Sequence, residues 1–360
     1  MTTLWDPIHA GSIVLPHRFA LAPMTRSRAL PDGTPSALAA QYYAQRASLG
    51  LLITEGTQPS DDGQGYLNTP GIYTQSHIDG WRRLTTAAKA EGAEVFIQLM
   101  HVGRMAHPDN TPHHRQPLAP SAIASGQLMF TPTGMQQAPV PRALSLEDIR
   151  STVQEFRHAA RSAIDAGAAG VEIHGANGYL LHQFFAPNAN QRDDAYGGSI
   201  QNRVRFAVEV AAAVADEIGP DRTGMRISPG LPLGGLIEGE DMADLYRHLA
   251  TELTRLNLVY LHYVHVKNEE LLRDIRAIWP NLLLLVRSGR TLESLADDVT
   301  AGIADIVPIG QWALANPDFV ERFRRGAPLN TPDKASYYGG GSAGYTDYPT
   351  LIQLKLEHAG

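Results

Sequence analysis

The stretch VEIHGANGYLLHQF, residues 171–184, places three polar side chains directly after a short apolar run that is typical of a buried strand. They are His174, Asn177 and Tyr179, which carry an imidazole, an amide and a phenol. A lone histidine at such a position is more often a core residue with its hydrogen bonds satisfied, and Asn-Gly is a common turn. Because the three groups occur together at the end of a predicted strand, we interpret them as part of an active site.

Polar residues and glycines close other apolar runs of the chain in the same way. The residues at or next to these ends are Pro23, Thr25, Gly56, Gln98, Met100, Arg226, Gly289, Arg290, Gly310 and Gln311. The structural alternatives are that Arg226 pairs with a carboxylate such as Glu172 and that Gln98 caps a neighbouring strand. If the runs are strands of one parallel barrel, their carboxyl ends meet at one mouth, and a single polar pocket explains the whole set.

The elements that would position these residues follow a regular rhythm. The predicted strands are Arg18–Met24, Leu51–Thr57, Glu94–Met100, Gly170–Gly175, Thr223–Ser228, Leu258–Val266, Leu282–Gly289 and Asp305–Gly310. The predicted helices are Ser36–Ser48, Ser76–Glu91, Ser145–Asp165, Ile200–Ile218, Asp241–Leu256, Asn268–Ile278, Leu292–Ala301 and Pro317–Arg325. Strand and helix alternate eight times, which predicts the α/β class and a single (β/α)8 TIM barrel over residues 1–360. The long segment His101–Arg142 is predicted to be an elaborated loop or hairpin after the third strand.

Composition narrows the classes of function. The formal net charge is −7 and the basic residues are scattered, which argues against nucleic acid as a partner. No apolar run approaches the roughly 20 residues that cross a bilayer, and no signal sequence is evident, so we expect a cytoplasmic protein without a membrane partner. The chain has no cysteine, which excludes thiolate metal sites and thiol redox catalysis. Any redox chemistry must therefore use a bound cofactor.

Two features of the predicted pocket indicate that cofactor. The loop at Gly289 leads to a predicted helix at Thr291, and Gly310 also precedes a predicted helix. In barrels of this kind, loops that lead from the last two strands to a helix N-terminus bind phosphate. Thr25, Gln98 and Arg226 offer donors and acceptors to a flat heterocycle such as a flavin. We expect no metal site, because no HExxH pattern or comparable ligand spacing occurs.

Six motifs in chain order carry a family resemblance. They are LAPMTRSRA (21–29), QLMHVGR (98–104), VEIHGANGYLLHQFFAPNANQRDDAYGGSIQNRVRF (171–206), RISP (226–229), LANPDFVERF (314–323) and YGGGSAGYTDYPT (338–350). Together they resemble the Old Yellow Enzyme family of FMN-dependent ene-reductases, and most of all its bacterial N-ethylmaleimide and nitrate-ester reductases. The resemblance implies an NAD(P)H-dependent FMN oxidoreductase acting on small molecules, with NADPH or NADH as the reductant.

The resemblance also implies roles for the cofactor-binding residues. Thr25 would bond the flavin carbonyl next to the reactive nitrogen, and Gln98 and Arg226 would hold the pyrimidine edge. Backbone groups of Pro23 and Gly56 would line the flavin. The loops with Gly289, Arg290, Gly310 and Gln311 would hold the phosphate.

The substrate groups follow from the same resemblance. His174 and Asn177 would bind a carbonyl or nitro oxygen of an α,β-unsaturated carbonyl, maleimide or nitroalkene. Reduced FMN would deliver hydride to the β-carbon, and Tyr179 would supply the proton. The side chains of Tyr66, Met100 and Tyr338 would shape the pocket over the ring.

One position departs from the family pattern. Gln311 stands where relatives usually have an arginine that grips the FMN phosphate, and Arg290 is our candidate for its replacement. A weakened phosphate grip keeps open the alternative of a flavin-poor barrel that serves as a small-molecule binding or sensor protein. Nitro or nitrate-ester reduction as the main activity is a further alternative. The oligomeric state is expected to be a monomer or a homodimer.

Overall fold

The computed structural model describes residues 2–357, with side chains described up to residue 354. Eight parallel strands form one curved sheet: β1 (Phe19–Leu21), β2 (Leu51–Ile53), β3 (Glu94–Leu99), β4 (Gly170–Gly175), β5 (Thr223–Ile227), β6 (Tyr260–His265), β7 (Leu282–Arg287) and β8 (Val307–Ile309). Neighbours in the chain pair in order from β1 to β7, and β8 pairs with β1. A bridge between Leu284 and Ile306 joins β7 to the residue before β8. The predicted barrel is confirmed.

Eight helices cover the outside of the barrel. They are α1 (Ala37–Gln45), α2 (Gln75–Ala90), α3 (Leu146–Asp165), α4 (Ile200–Ile218), α5 (Met242–Arg255), α6 (Glu269–Ile278), α7 (Asp297–Thr300) and α8 (Phe319–Arg325), and short helices occur at Leu180–Phe185, Gln311–Ala315 and Leu351–Glu357. Local sequence explains several starts: Ser145 and Asp148 form a reciprocal capping box at the beginning of α3.

The predicted helix Leu292–Ala301 is wrong in its first half, because α7 begins only at Asp297. The hydroxyl of Ser294 accepts from the Thr291 amide at 3.1 Å and donates to the Thr291 carbonyl at 3.0 Å. Such local side-chain bonds compete with helical hydrogen bonds and favour a turn. The expected helix N-terminus at Thr291 is therefore absent.

The floor of the barrel is filled by aromatic side chains. The rings of Phe96 and Tyr260 lie 5.6 Å apart inside it, within a buried apolar cluster. Glycines on neighbouring strands make room for them: a Cβ on Gly170 would lie 2.6 Å from the Phe96 ring, and one on Gly224 would lie 2.3 Å from the Tyr260 ring. Inward side chains nearer the carboxyl ends of the strands therefore rest on a solid base.

Two hairpins and a short parallel strand pair, Leu118–Ala119 with Arg142–Ala143, lie outside the barrel sheet. The first hairpin, Ile8–Ala10 with Ile13–Leu15, packs against the inner cluster through Ala10 and Leu15. The second, Leu128–Thr131 with Gly134–Gln137, lies in the segment predicted to be an elaborated loop after the third strand, and confirms it. Among the described helices, we find none with the length and apolar character needed to cross a membrane. That residues 1–360 form one domain stays a prediction.

Candidate active site

A cavity of about 280 Å³ lies at the carboxyl ends of the strands, as expected for a barrel enzyme. It brings together residues from distant parts of the chain that the sequence singled out: Pro23, Thr25, Gly56, Gln98, Met100, His174, Asn177, Tyr179, Arg226, Gln311 and Tyr338. Met24, the last residue of the first predicted strand, also lines it, and so do Leu314 and Tyr337, which sequence reasoning missed. The wall is therefore polar over much of its surface, with both donors and acceptors exposed to a ligand.

The protonation of His174 follows from its contacts. Its Nδ1 accepts the backbone N–H of Ala176 at 3.2 Å, so the hydrogen of the neutral ring lies on Nε2. Burial, and then the nearby charge of Arg226, hold the pKa of His174 well below its usual value. At neutral pH the imidazole is therefore uncharged and carries one N–H on Nε2 that can donate to a ligand.

The Asn177-Gly178 turn is held in place from several sides. Asn177 adopts a left-handed backbone (φ 58°), and its N–H donates to Ser228 Oγ at 2.9 Å. Gly178 is required, because a Cβ there would lie 2.6 Å from the Leu233 carbonyl oxygen. Its N–H donates to His182 Nδ1 at 3.0 Å. Within residues 2–357 the buried Oδ1 of Asn177 has no partner. The oxygen and nitrogen of an amide are assigned from their contacts, so the same side chain can turn its N–H group toward a ligand that offers an acceptor.

Tyr179 follows this turn and faces the cavity. Its ring packs edge-on against His174, with centroids 5.0 Å apart, and its hydroxyl lies 3.2 Å from the hydroxyl of Tyr66. Burial raises the pKa of Tyr179, and the hydrogen bond from Tyr66 offsets only part of that rise. The phenol therefore keeps its proton at neutral pH.

A second cavity of about 480 Å³ adjoins the first and shares Thr25, Tyr179 and Tyr338 with it. Tyr66 lines this second cavity and not the first. The wall of the second cavity is mostly apolar. It includes Leu128 and Phe130 of the hairpin Leu128–Thr131 with Gly134–Gln137, and these two side chains are 54% and 65% exposed. Exposed apolar side chains that border a site are typical of ligand-binding surfaces.

A third cavity, of about 310 Å³, lies at the ends of β7 and β8 and shares Gln311 with the first. Gly289, Arg290 and Gly310 line it, as predicted for the phosphate site, together with Arg287, which sequence reasoning missed. Both arginines form ion pairs with Asp298. Arg290 keeps a buried Nη1 without a partner within the described part of the chain.

These residues fit a phosphorylated flavin. Buried guanidinium nitrogens, Nε of Arg226 beside the first cavity and Nη1 of Arg290 at the third, lack partners among residues 2–357. An unpaired buried donor costs free energy unless a ligand satisfies it, and because these two belong to residues that line the cavities, they suit an anionic or acceptor-bearing ligand. The two cavities meet at Gln311, which allows one ligand to extend from the polar mouth to the phosphate loops.

Comparisons with known proteins agree over nearly the whole length. The NADH:flavin oxidoreductase / NADH oxidase family matches residues 3–330. A protein from Leishmania infantum called "Probable flavin mononucleotide-dependent alkene reductase" is 41% identical over 356 residues, which cover 96% of each chain. The 12-oxophytodienoate reductase 2 of Arabidopsis thaliana is 39% identical and covers 97% of this chain and 96% of its own.

Solved structures agree as well. Morphinone reductase superposes with a TM-score of 0.93 at 40% identity, covering 97% of this chain and 96% of that one. An Old Yellow Enzyme homologue from Zymomonas mobilis superposes with a TM-score of 0.92 at 35% identity, covering 97% of this chain and 100% of that one. The barrel, its cavity and these matches over nearly the whole chain together assign the family. The chain belongs to the NADH:flavin oxidoreductase / NADH oxidase family and, within it, to the Old Yellow Enzyme family of FMN-dependent, NAD(P)H-dependent oxidoreductases.

Proposed function

We propose that this FMN-dependent ene-reductase reduces alkenes conjugated to an electron-withdrawing group, namely α,β-unsaturated carbonyls, maleimides and nitroalkenes, with NADPH or NADH as the reductant. The observation that carries the proposal is the convergence of His174, Asn177 and Tyr179 on one cavity wall. A neutral imidazole with its N–H on Nε2, a free amide and a protonated phenol are the groups that such a reduction needs.

Each of these side chains has a defined task in the proposed reaction. His174 Nε2 and the Asn177 amide donate to the carbonyl or nitro oxygen, which draws electrons from the alkene and makes its β-carbon electrophilic. Tyr179 holds its proton until charge develops on the substrate, and then gives it to the α-carbon. FMN, when bound and reduced, supplies the hydride.

The residues around the cavity would hold the cofactor. Thr25, Gln98 and Arg226 would bind the polar edge of the flavin, and Arg226 would stabilise negative charge there. Pro23 and Gly56 would line the ring through their backbones. Gly289, Arg290, Gly310 and Gln311 would surround the phosphate, since all four line the third cavity.

Tyr66, Met100 and Tyr338 would shape the substrate space. Met100 and Tyr338 line the first cavity, and Tyr66 and Tyr338 line the adjoining apolar one. Because that second wall is apolar, we infer that neutral substrates with apolar substituents bind better than charged ones. The relatives named for alkene, 12-oxophytodienoate and morphinone reduction support conjugated alkenes as the substrate class.

A direct test of the function follows flavin colour. We expect the purified protein to be yellow, to lose its absorbance near 450 nm when NADPH is added under nitrogen, and to regain it when 2-cyclohexenone is added; the wavelength is roughly that of oxidised flavins. Mass analysis should identify cyclohexanone as the product. Colourless protein that does not take up added FMN would favour the alternative of a binding or sensor barrel. Protein bleached by NADPH but not restored by alkenes would reject the proposed substrate class.

Relatives usually have a phosphate-binding arginine at the position of Gln311. We propose that Arg290 takes over its role in this chain. Arg290→Ala should weaken FMN binding by about 10- to 100-fold, the loss of about 1.5 to 3 kcal/mol expected for a hydrogen bond to a charged group. The unpaired Nη1 supports this role, and the competing ion pair with Asp298 argues for the lower end of the range. Titration of the apoprotein with FMN, followed by flavin fluorescence, gives the dissociation constant.

Arg276→Ala is the matched control. Arg276 forms the same kind of arginine–aspartate pair, with Asp305 at 2.8 Å, and it lies in a different cavity that none of the FMN candidates line. This variant should bind FMN like the wild type. Equal FMN affinity of wild type and Arg290→Ala would mean that Arg290 does not hold the phosphate.

A further inference from the structure

A fully buried carboxylate, Glu172, lies directly beneath the polar mouth of the barrel. Glu172 and His174 are two residues apart on β4, so their side chains point to the same face of the strand, with Glu172 one layer deeper. In the sheet register Glu172 pairs with Gln98 of β3, and Arg226 of β5 pairs with both His174 and His262. The layer under the mouth is therefore ionic, and a buried charge of this kind needs partners.

Glu172 has well-formed partners on both of its oxygens. Gln98 Nε2 donates to Oε1 at 2.7 Å, and His262 Nδ1 donates to Oε2 at 2.8 Å. Burial raises the pKa of Glu172, but His262, Arg226 and Gln98 lower it by more, so the carboxylate is charged. Burial lowers the pKa of His262, which leaves its ring neutral with the hydrogen on Nδ1.

This contact determines the orientation of the Gln98 amide. A carboxylate only accepts hydrogen bonds, so the atom of Gln98 that faces it must be the amide nitrogen. The amide oxygen of Gln98 is then left for the cavity that the residue lines. A ligand that bonds this oxygen must offer a hydrogen-bond donor, such as the imide N–H at the pyrimidine edge of a flavin.

The same carboxylate balances the charge of Arg226. Arg226 lines the cavity, is 9% exposed, and makes no ion pair within 4.0 Å with any carboxylate in the described part of the chain. Glu172 nevertheless stabilises the protonated guanidinium through space. One positive charge thus borders the ligand, and one negative charge lies one layer below it. Because reduction adds negative charge to a flavin, the cation favours the reduced form and the anion opposes it.

We propose that Glu172 is a positioning residue that sets the orientation of Gln98 toward FMN and lowers the midpoint potential of the bound flavin by offsetting the charge of Arg226. The inference rests on FMN binding at this mouth. It does not depend on the roles proposed for His174, Asn177 and Tyr179. No alkene takes part in its test, so its failure and the failure of the proposed function can be told apart.

The test replaces Glu172 by residues that separate charge from hydrogen bonding. Glu172→Gln removes the charge and should shift the midpoint potential, measured by equilibration with a reference dye, to a more positive value. It should also weaken FMN binding by about tenfold, because the Gln98 amide is no longer held in one orientation. Glu172→Asp keeps the charge and shortens the side chain, so it should weaken FMN binding while leaving the potential closer to that of the wild type.

Glu238→Gln is the matched control. Glu238 is also a buried carboxylate, with His182 Nε2 at 3.0 Å and the Tyr246 hydroxyl at 2.6 Å, but it contacts neither Gln98 nor Arg226. Removal of the Glu238 charge should therefore leave the midpoint potential of the flavin unchanged. A double-mutant cycle combines Glu172→Gln with Gln98→Ala. The effects of these two changes on FMN affinity should not add, as expected if Glu172 acts through Gln98.

Two results would overturn the inference. A wild-type potential in Glu172→Gln would show that the carboxylate does not oppose reduction. A wild-type FMN affinity in both Glu172→Gln and Glu172→Asp would show that the orientation of Gln98 does not depend on it. If Glu172→Gln fails to fold, a cycle of Glu172→Asp with Gln98→Ala tests the positioning role, and additive effects of those two changes on FMN affinity would overturn it.

Discussion

Tyr179→Phe is expected to slow reoxidation of the reduced protein by 2-cyclohexenone about 10²- to 10⁴-fold, the range for loss of a general acid. Phenylalanine keeps the ring that packs edge-on against His174 and removes only the hydroxyl that carries the proton. Flavin reduction by NADPH should stay nearly unchanged, since that step takes no proton from Tyr179. Anaerobic stopped-flow measurement of flavin absorbance separates the two half-reactions.

The pH dependence gives a second view of the same group. Burial raises the pKa of Tyr179, so the phenol is protonated at all pH values below its normal pKa, which is about 10. The wild-type rate with 2-cyclohexenone should therefore stay level from neutral pH to about pH 9 and fall only above about pH 10. Tyr66→Phe removes the hydroxyl that lies 3.2 Å from that of Tyr179 and serves as the control, with a much smaller effect expected. Equal losses in both half-reactions of Tyr179→Phe would contradict its role as proton donor.

The second large effect is expected at His174 and Asn177, the pair proposed to bind the substrate oxygen. His174→Ala and Asn177→Ala should each lower the rate of alkene reduction by about 10²- to 10³-fold, as removal of one donor to a developing negative charge does. The reason lies in their geometry: His174 carries its N–H on Nε2 because Nδ1 accepts from Ala176, and the Asn177 side chain is held at the cavity by a constrained turn. Single-turnover reduction of 2-cyclohexenone by each prereduced variant measures the effect.

His174→Asn is the informative control for this pair. An asparagine keeps an N–H donor near the same position, so this variant should lose less activity than His174→Ala. The double variant His174→Ala with Asn177→Ala should lose less than the product of the two single losses, because both groups act on one oxygen. If both alanine variants bind FMN and reduce 2-cyclohexenone at the wild-type rate, the substrate oxygen is bound elsewhere.

Local sequence was sufficient for the architecture. Strands of a parallel barrel are buried on both faces, so runs such as 282–286, the first five residues of β7, are continuously apolar and stand out without tertiary information. Strand direction alone then puts every carboxyl end at one mouth, which explains why residues as distant as Thr25 and Arg226 line the same cavity. The capping box at Ser145 was equally readable, because its partner is only three residues away.

The sequence pattern gave a wrong helix start where side-chain hydrogen bonds between near neighbours compete with the hydrogen bonds of the helix. The helix predicted over Leu292–Ala301 has helical periodicity, yet the hydroxyl of Ser294 bonds Thr291 and converts its first half into a turn. As a result the loop after β7 places Gly289 and Arg290 at the third cavity, without the helix N-terminus that the sequence suggested.

The sequence by itself determined the barrel, the mouth and most of the side chains that line it, because these depend on short-range periodicity and chain direction. Only the tertiary structure decided which atoms those side chains present: the tautomer of His174, the amide orientation of Gln98 and the pairing of Arg290 with Asp298. Gln98 and Glu172 are 74 residues apart, and their contact depends on the register between two strands. Register depends on how the apolar pattern of one strand aligns with that of its neighbour, so neither strand by itself fixes which residues lie opposite one another.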